Sequence, residues 1–174
     1  MPAKFAAAHG SYDALPHYSP ALQIQSTDQV PDDLPRLSNF DLHVHPVGQA
    51  GLEIPDAVRQ LAGQRVRLIG YMAVEADPAP KRFLLTPSPV SIDSLHEAGA
   101  GDIPSSTVFV HFPGTADGNE PVPFLPGLIS VTGTLDVGHR EESDLLPSTF
   151  RLMLDEEVVQ QFFKAQPMSL NLSK

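Results

Sequence analysis

Asp41, His43 and His45 stand at alternate positions in F-D-L-H-V-H-P-V, residues 40 to 47. Carboxylate and imidazole are the side chains that ligate zinc, nickel or copper. On a strand, alternation puts all three on one face and Phe40, Leu42 and Val44 on the other. A zinc, nickel or copper ion could then bind weakly at His43 and His45, with Asp41 or a distant His96, His111 or His139 completing the site. A polar, solvent-facing strand edge explains the same alternation without a metal. The Asp-x-His-x-His pattern also opens large metal-dependent hydrolase barrels, which need about 250 residues and several later ligands. The 174 residues here are too few for that architecture.

Other chemistries find less support. The chain has no cysteine, which excludes disulfides, thiolate ligands and a thiol nucleophile. No serine sits in a G-x-S-x-G elbow, and there is neither a phosphate-cradling loop nor a dinucleotide fingerprint. Asp136, Glu141, Glu142 and Asp144 supply carboxylates near the C-terminus, but spacing alone does not make them converge into an acid/base pair. His111 reads as a hydrogen-bonded rim residue and His139 as part of a charged loop. The expectation is a non-catalytic protein with no catalytic residue and no cofactor other than a weakly bound metal.

Charge narrows the partners. The formal net charge is −10, and such a surface repels a phosphate backbone unless its cations are gathered on one face. Arg59, Arg65, Arg67, Lys81 and Arg82 fall close together in sequence, but Glu53, Asp56, Glu75 and Asp77 are interleaved with them. This argues against nucleic acid. No stretch approaches the roughly 20 apolar residues of a spanning helix, and M-P-A-K-F-A-A-A-H-G lacks the apolar core of a secretory signal. The chain as it stands reads as cytoplasmic, or as periplasmic if an export signal has been removed.

The elements that would position any site are short. Eighteen prolines and twelve glycines suit many strands joined by tight turns better than long helices. Residues 1 to 38, punctuated by Pro16, Pro20, Pro31 and Pro35, read as an extended N-terminal arm. Leu22 and Ile24 could form an edge strand there, and Tyr12 and Tyr18 could be anchors. Residues 39 to 174 read as one domain. A short helix is expected from Ile54 to Gly63, followed by a strand from Arg65 to Val74 bent at Gly70 and a returning strand from Arg82 to Thr86, the two forming a hairpin. A surface insertion spans Pro87 to Ser106. Further strands are expected at Thr107 to Phe112, at Gly127 to Gly138 around a second glycine bend, and at Thr149 to Leu154. Asp155 then precedes a helix whose Val158, Val159, Phe162 and Phe163 share one face. The pattern is that of a mainly β protein, a small curled antiparallel barrel.

The segment L-A-G-Q-R-V-R-L-I-G-Y-M, Leu61 to Met72, preceded by I-P-D-A-V and followed by R-F-L-L-T-P, resembles a bacterial family of unknown function whose members are usually exported. In that family a Leu-x-Gly-x-x-Val-x-Leu-x-Gly-Tyr-Met-like segment precedes a Phe-Leu-Leu strand, a Val-x-Val strand and a closing strand with a central glycine. Val108 to Val110 and Ile129 to Leu135 occupy the later positions, so the similarity covers residues 54 to 137. It implies an OB-like barrel without implying a nucleic-acid ligand. The loop after Phe83-Leu84-Leu85 lacks the cysteine common in the family, and the usual export signal is missing. The functional expectation is an accessory or adaptor subunit that binds another protein or its own copy. The surfaces expected to do so are the arm (Tyr12, Tyr18, Leu22, Ile24), the 87 to 106 insertion and the last helix (Phe162, Phe163). A metal-binding role for the histidine face and a small-molecule or oligosaccharide site at the barrel mouth are the alternatives.

Overall fold

The computed structural model describes residues 22–23, 33–49, 51–92, 103–114 and 121–164, the side chains of 22, 23, 163 and 164 excepted. Nine strands and two α-helices are present among them: β1 (Leu22–Gln23), β2 (Arg36–Ser38), α1 (Asp56–Gln60), β3 (Arg65–Met72), β4 (Val74–Glu75), β5 (Arg82–Thr86), β6 (Ser91–Ile92), β7 (Val108–His111), β8 (Leu128–Glu141), β9 (Pro147–Leu154) and α2 (Glu156–Lys164). The protein is mainly β, as its turn-rich composition predicts.

Seven strands form one sheet in the order β1-β8-β9-β7-β5-β3-β2, and β8 also pairs with β3. The ladder therefore returns on itself through β3, β5, β7, β9 and β8. All pairings in this ring are antiparallel except β7 with β9, which run parallel with Val108 opposite Phe150. The ring is staggered. β5 meets β3 only at Tyr71 and Met72, and the arm's Arg36–Ser38 occupies the rest of that edge opposite Arg67 to Ile69. In the same way Leu22–Gln23 pairs with Ile129 and Ser130, beyond the stretch of β8 that β9 covers. Two pieces of the expected arm thus cover strand edges that the stagger would leave bare.

The expected Arg65 to Leu85 hairpin forms, but only at its turn end, where Tyr71↔Thr86 and Met72↔Leu85 are antiparallel pairs and Ala73 N–H donates to Leu84 O at 2.9 Å. The main partner of β3 is β8, in seven consecutive pairs from Arg65↔Thr134 to Tyr71↔Leu128. Both glycine bends serve close approach. A Cβ at Gly133 would run into the Met153 backbone on β9, and one at Gly70 would meet the Asn39 amide oxygen, Leu85 and the Thr86 carbonyl. Glycine is the residue that tolerates such contacts.

Inside the ring, Val66, Leu68, Phe83, Leu85, Val108, Val110, Val131, Leu135, Phe150 and Leu152 are buried in one core. The alternate residues Leu84 and Phe109 point the other way, into a smaller cluster with Ala73, Ile92 and Leu146. This second layer explains why every residue of R-F-L-L-T is buried, since a strand covered on both faces reads as a continuous apolar run. Helix α2 adds Val158, Val159 and Phe162 to the main core. The Phe162 ring lies 5.1 Å from that of Phe83 and 5.5 Å from that of Phe112, and Asp155 accepts a 2.7 Å hydrogen bond from Arg65 that fixes the helix start to β3. Val158, Val159 and Phe162 of the expected helix stripe are thus used inside the molecule, and the Phe163 side chain lies outside the described residues.

Phe162→Ala should cost about 3 to 5 kcal/mol, read as a shift of the urea midpoint that does not depend on protein concentration. Gly133→Ala should cost about 1 to 3 kcal/mol or more, because the obstructing group is backbone and cannot rotate away. Wild-type midpoints for either variant would contradict this packing.

Candidate functional site

Local hydrogen bonding dismantles the expected metal face. The Ser38 backbone N–H and hydroxyl both donate to Asp41 Oδ2, at 2.7 and 2.8 Å, and Asn39–Leu42 coil into a 3-10 turn instead of a strand. Strand alternation is lost there, and the three side chains part. Asp41 is engaged at that turn. His43 is buried, edge-on to Phe150 with ring centroids 5.4 Å apart. His45 is exposed and stacked on Phe40, at 4.1 Å and 7°, next to a cis His45–Pro46 bond. No group of three metal-ligating side chains occurs among the described residues. His96 lies outside them, and so do Tyr12, Tyr18 and Ile24. Leu22 lies in the β1 pairing, and Phe162 is buried within the chain's own core.

The turn instead launches a small flap. Val44 N–H donates to Glu53 O at 2.8 Å, and Gly51 N–H donates to Gly48 O at 3.1 Å to close its tip. Phe40, Val44, Val47 and Leu52 on and beside the flap are exposed, Phe40 by 66%. Its inner side faces the segment leading into β7. Asn39 anchors that side, its buried amide donating to Leu85 O at 2.9 Å and Ser106 O at 2.7 Å, and His43 Nε2 lies 3.3 Å from Ser105 O. Between flap, segment and the start of β9 is a cleft of about 330 Å³, with His43, Ser105, Thr107 and Thr149 among its lining residues. His43 Nδ1 and Thr107 Oγ1 are buried and have no hydrogen-bond partner.

Of the C-terminal carboxylates, Asp136, Glu142 and Asp144 join networks elsewhere, over the outer face of β5, β7 and β9, while Glu141 is exposed. Arg82 is buried, bonded to Asp144 at 2.5 Å and Glu75 at 3.3 Å, with its guanidinium 5.2 Å from the centre of the Phe109 ring. His111 Nε2 lies 3.1 Å from Glu142 Oε2, while the other Glu142 oxygen accepts from Ser148 Oγ. Arg151 donates to Ser148 Oγ at 2.7 Å, Asp136 at 2.8 Å and Gly138 O at 2.8 Å. Burial pushes Glu75 up, more than Arg82 beside it pulls it down. Burial likewise lowers His111 against the pull of Glu142, with Arg82 and Arg151 adding to the effect. The Arg151 hydrogen bond holds Asp136 down. This network has no working nucleophile. Ser148 is buried with donor and acceptor committed, and Glu142 stands between it and the imidazole that would have to take its proton. The network was not legible in the sequence, because its members come from four separate segments.

A scan against protein-family models finds no match, and a search of the curated proteins finds none. Among solved structures, a DUF3299 family protein from Pseudomonas aeruginosa PAO1 is similar at 18% identity and a TM-score of 0.41, over 70% of this chain and 93% of that one. A likeness at this level assigns neither family nor activity.

The lowered His111 sets a pH dependence. Its folded value lies below the ordinary 6.5, so the unfolded chain takes up this proton first as pH falls. The stability it contributes is complete above 6.5 and is lost on acidification through the folded value. Glu75 acts oppositely and lower: raised above 4.5, it favours the folded state below that value and loses the contribution as pH rises through its folded value. In urea titrations between pH 7.5 and 5.5, His111→Gln should flatten the wild-type decline. Parallel curves for the two proteins would contradict the assignment.

Proposed function

We propose that the chain is a non-catalytic accessory protein, built on an OB-like barrel, that docks another protein through the flap between Phe40 and Leu52. The barrel reading is supported by five strands joined in a ring with one parallel closure, the third ring strand against the fifth, as in OB folds. The observation that carries the function is the concentration of exposed Phe40, Val44, Val47 and Leu52 on one hydrogen-bonded flap. Apolar residues gathered on a surface mark a contact site when the core has no use for them.

The flap also suits binding energetically. Its backbone is tied by the Val44 to Glu53 bond, and Phe40 is already stacked on His45. Less side-chain freedom is then lost when a partner closes over the ring. The chain's charge of −10 favours a neutral or basic partner with a matching apolar patch. The paired state of the buried carboxylates supports a role without catalysis, and the divergence of Asp41, His43 and His45 leaves the metal alternative without a shared face.

Co-purification from the native cell, comparing wild type with the double variant Phe40→Ser and Val47→Ser, tests the reading. Exposed substitutions should leave stability within about 0.5 kcal/mol. A stoichiometric partner held by the wild type should be lost. Equal retention by both proteins, or a wild type that is alone and monomeric by light scattering, would overturn it.

A further inference from the structure

We propose that the cleft behind the flap is a binding site for a small, uncharged, mostly apolar molecule carrying one hydroxyl group, held between His43 and Thr107. Buried side-chain polar atoms in folded proteins are almost always paired. Here two residues of one cleft wall, each more than nine-tenths buried, have an unpaired atom: His43 Nδ1 and Thr107 Oγ1.

The chemistry of the two atoms defines the ligand group. Ser105 O can only accept, so the 3.3 Å contact from His43 Nε2 places the ring proton on Nε2 and leaves Nδ1 an acceptor in the neutral imidazole. Thr107 Oγ1 can donate or accept. A hydroxyl satisfies both at once, donating to Nδ1 and accepting from the threonine. A carboxylate has no proton for Nδ1, and neither lysine nor arginine lines the cleft to offset its charge. The remaining wall includes Leu52, Ile54, Ile103, Pro104, Phe109 and Pro147, which favours a hydrocarbon body. The volume of about 330 Å³ is at the small end of the usual range for ligand pockets, roughly 300 to 1,000 Å³. The pairing of His43 with Ser105 and of Asn39 with Ser106 ties the flap to the facing segment, and because neither unpaired atom is exposed in the empty cleft, entry of the ligand must shift the wall to uncover them.

Three probes of similar shape test this: cyclohexylmethanol, methylcyclohexane and cyclohexanecarboxylate at pH 7.5. Each is titrated into the whole protein while the Ile54 and Ile103 methyl signals and the His43 ring nitrogens are followed by NMR. The alcohol should shift all of them saturably, move the Nδ1 resonance as a new hydrogen-bond acceptor, and bind about tenfold more tightly than the hydrocarbon, while the carboxylate should not bind. Thr107→Val, which keeps shape and removes the hydroxyl, should bring the alcohol down to the affinity of the hydrocarbon. The wild-type comparison stands even if that variant does not fold. Equal affinities for alcohol and hydrocarbon, preference for the carboxylate, or no saturable shift with any probe would overturn the proposal.

Discussion

The pairing of β3 with β8 is the constraint on which the rest of the structure depends. It joins residues 65 to 71 to residues 128 to 134, more than fifty positions apart, and it turns an open sheet into a ring. Everything that closes around it requires backbone at close quarters: Gly133 against Met153, Gly70 against Asn39. Side chains at these two points would hold the strands apart, and the interior that holds Phe83, Phe150 and Phe162 would lose its fit.

The same closure organises the periphery. Stagger in the ring leaves lengths of β3 and β8 without a partner, and β2 and β1 fill them. β2 runs directly into the Ser38 turn, so the residue that takes up the space beside Gly70, Asn39, is also the one that binds Ser106. The flap and the cleft behind it are therefore built on the ring's own stagger. The outer face of β5, β7 and β9 carries a second apolar layer, whose Phe109 and Ile103 also line the cleft, and the Arg82 and Arg151 networks. Removing one partner from a buried pair of this kind is costly, which makes the network a device for holding the 142 to 148 loop over the sheet.

Much of this was legible in the sequence, for identifiable reasons. Arg82 to Thr86 and the strand around Gly133 are visible because burial on two faces writes a continuous apolar run, and the last helix because Val158, Val159 and Phe162 repeat at helical spacing. The hairpin of β3 with β5 is legible from adjacency in the sequence, but the longer pairing of β3 with β8 is not, since nothing local reports a partner sixty residues on. The D-x-H-x-H face was misjudged for a different reason. Its alternation holds only on a strand, and Ser38, three residues before Asp41, bends the chain into a turn before the pattern can act. The cleft had no sequence signature, because His43 and Thr107 are far apart in the chain and ordinary in their own segments.

Native-state hydrogen exchange on backbone amides tests the central claim, closure through β3 and β8, most directly. The amides of residues 65 to 71 and 128 to 134 that face each other across the pairing should exchange only through global unfolding, with the same denaturant dependence as those between β8 and β9. Protection confined to the β8 and β9 pairing, with the amides of β3 facing β8 exchanging through local opening, would show that the ring does not close.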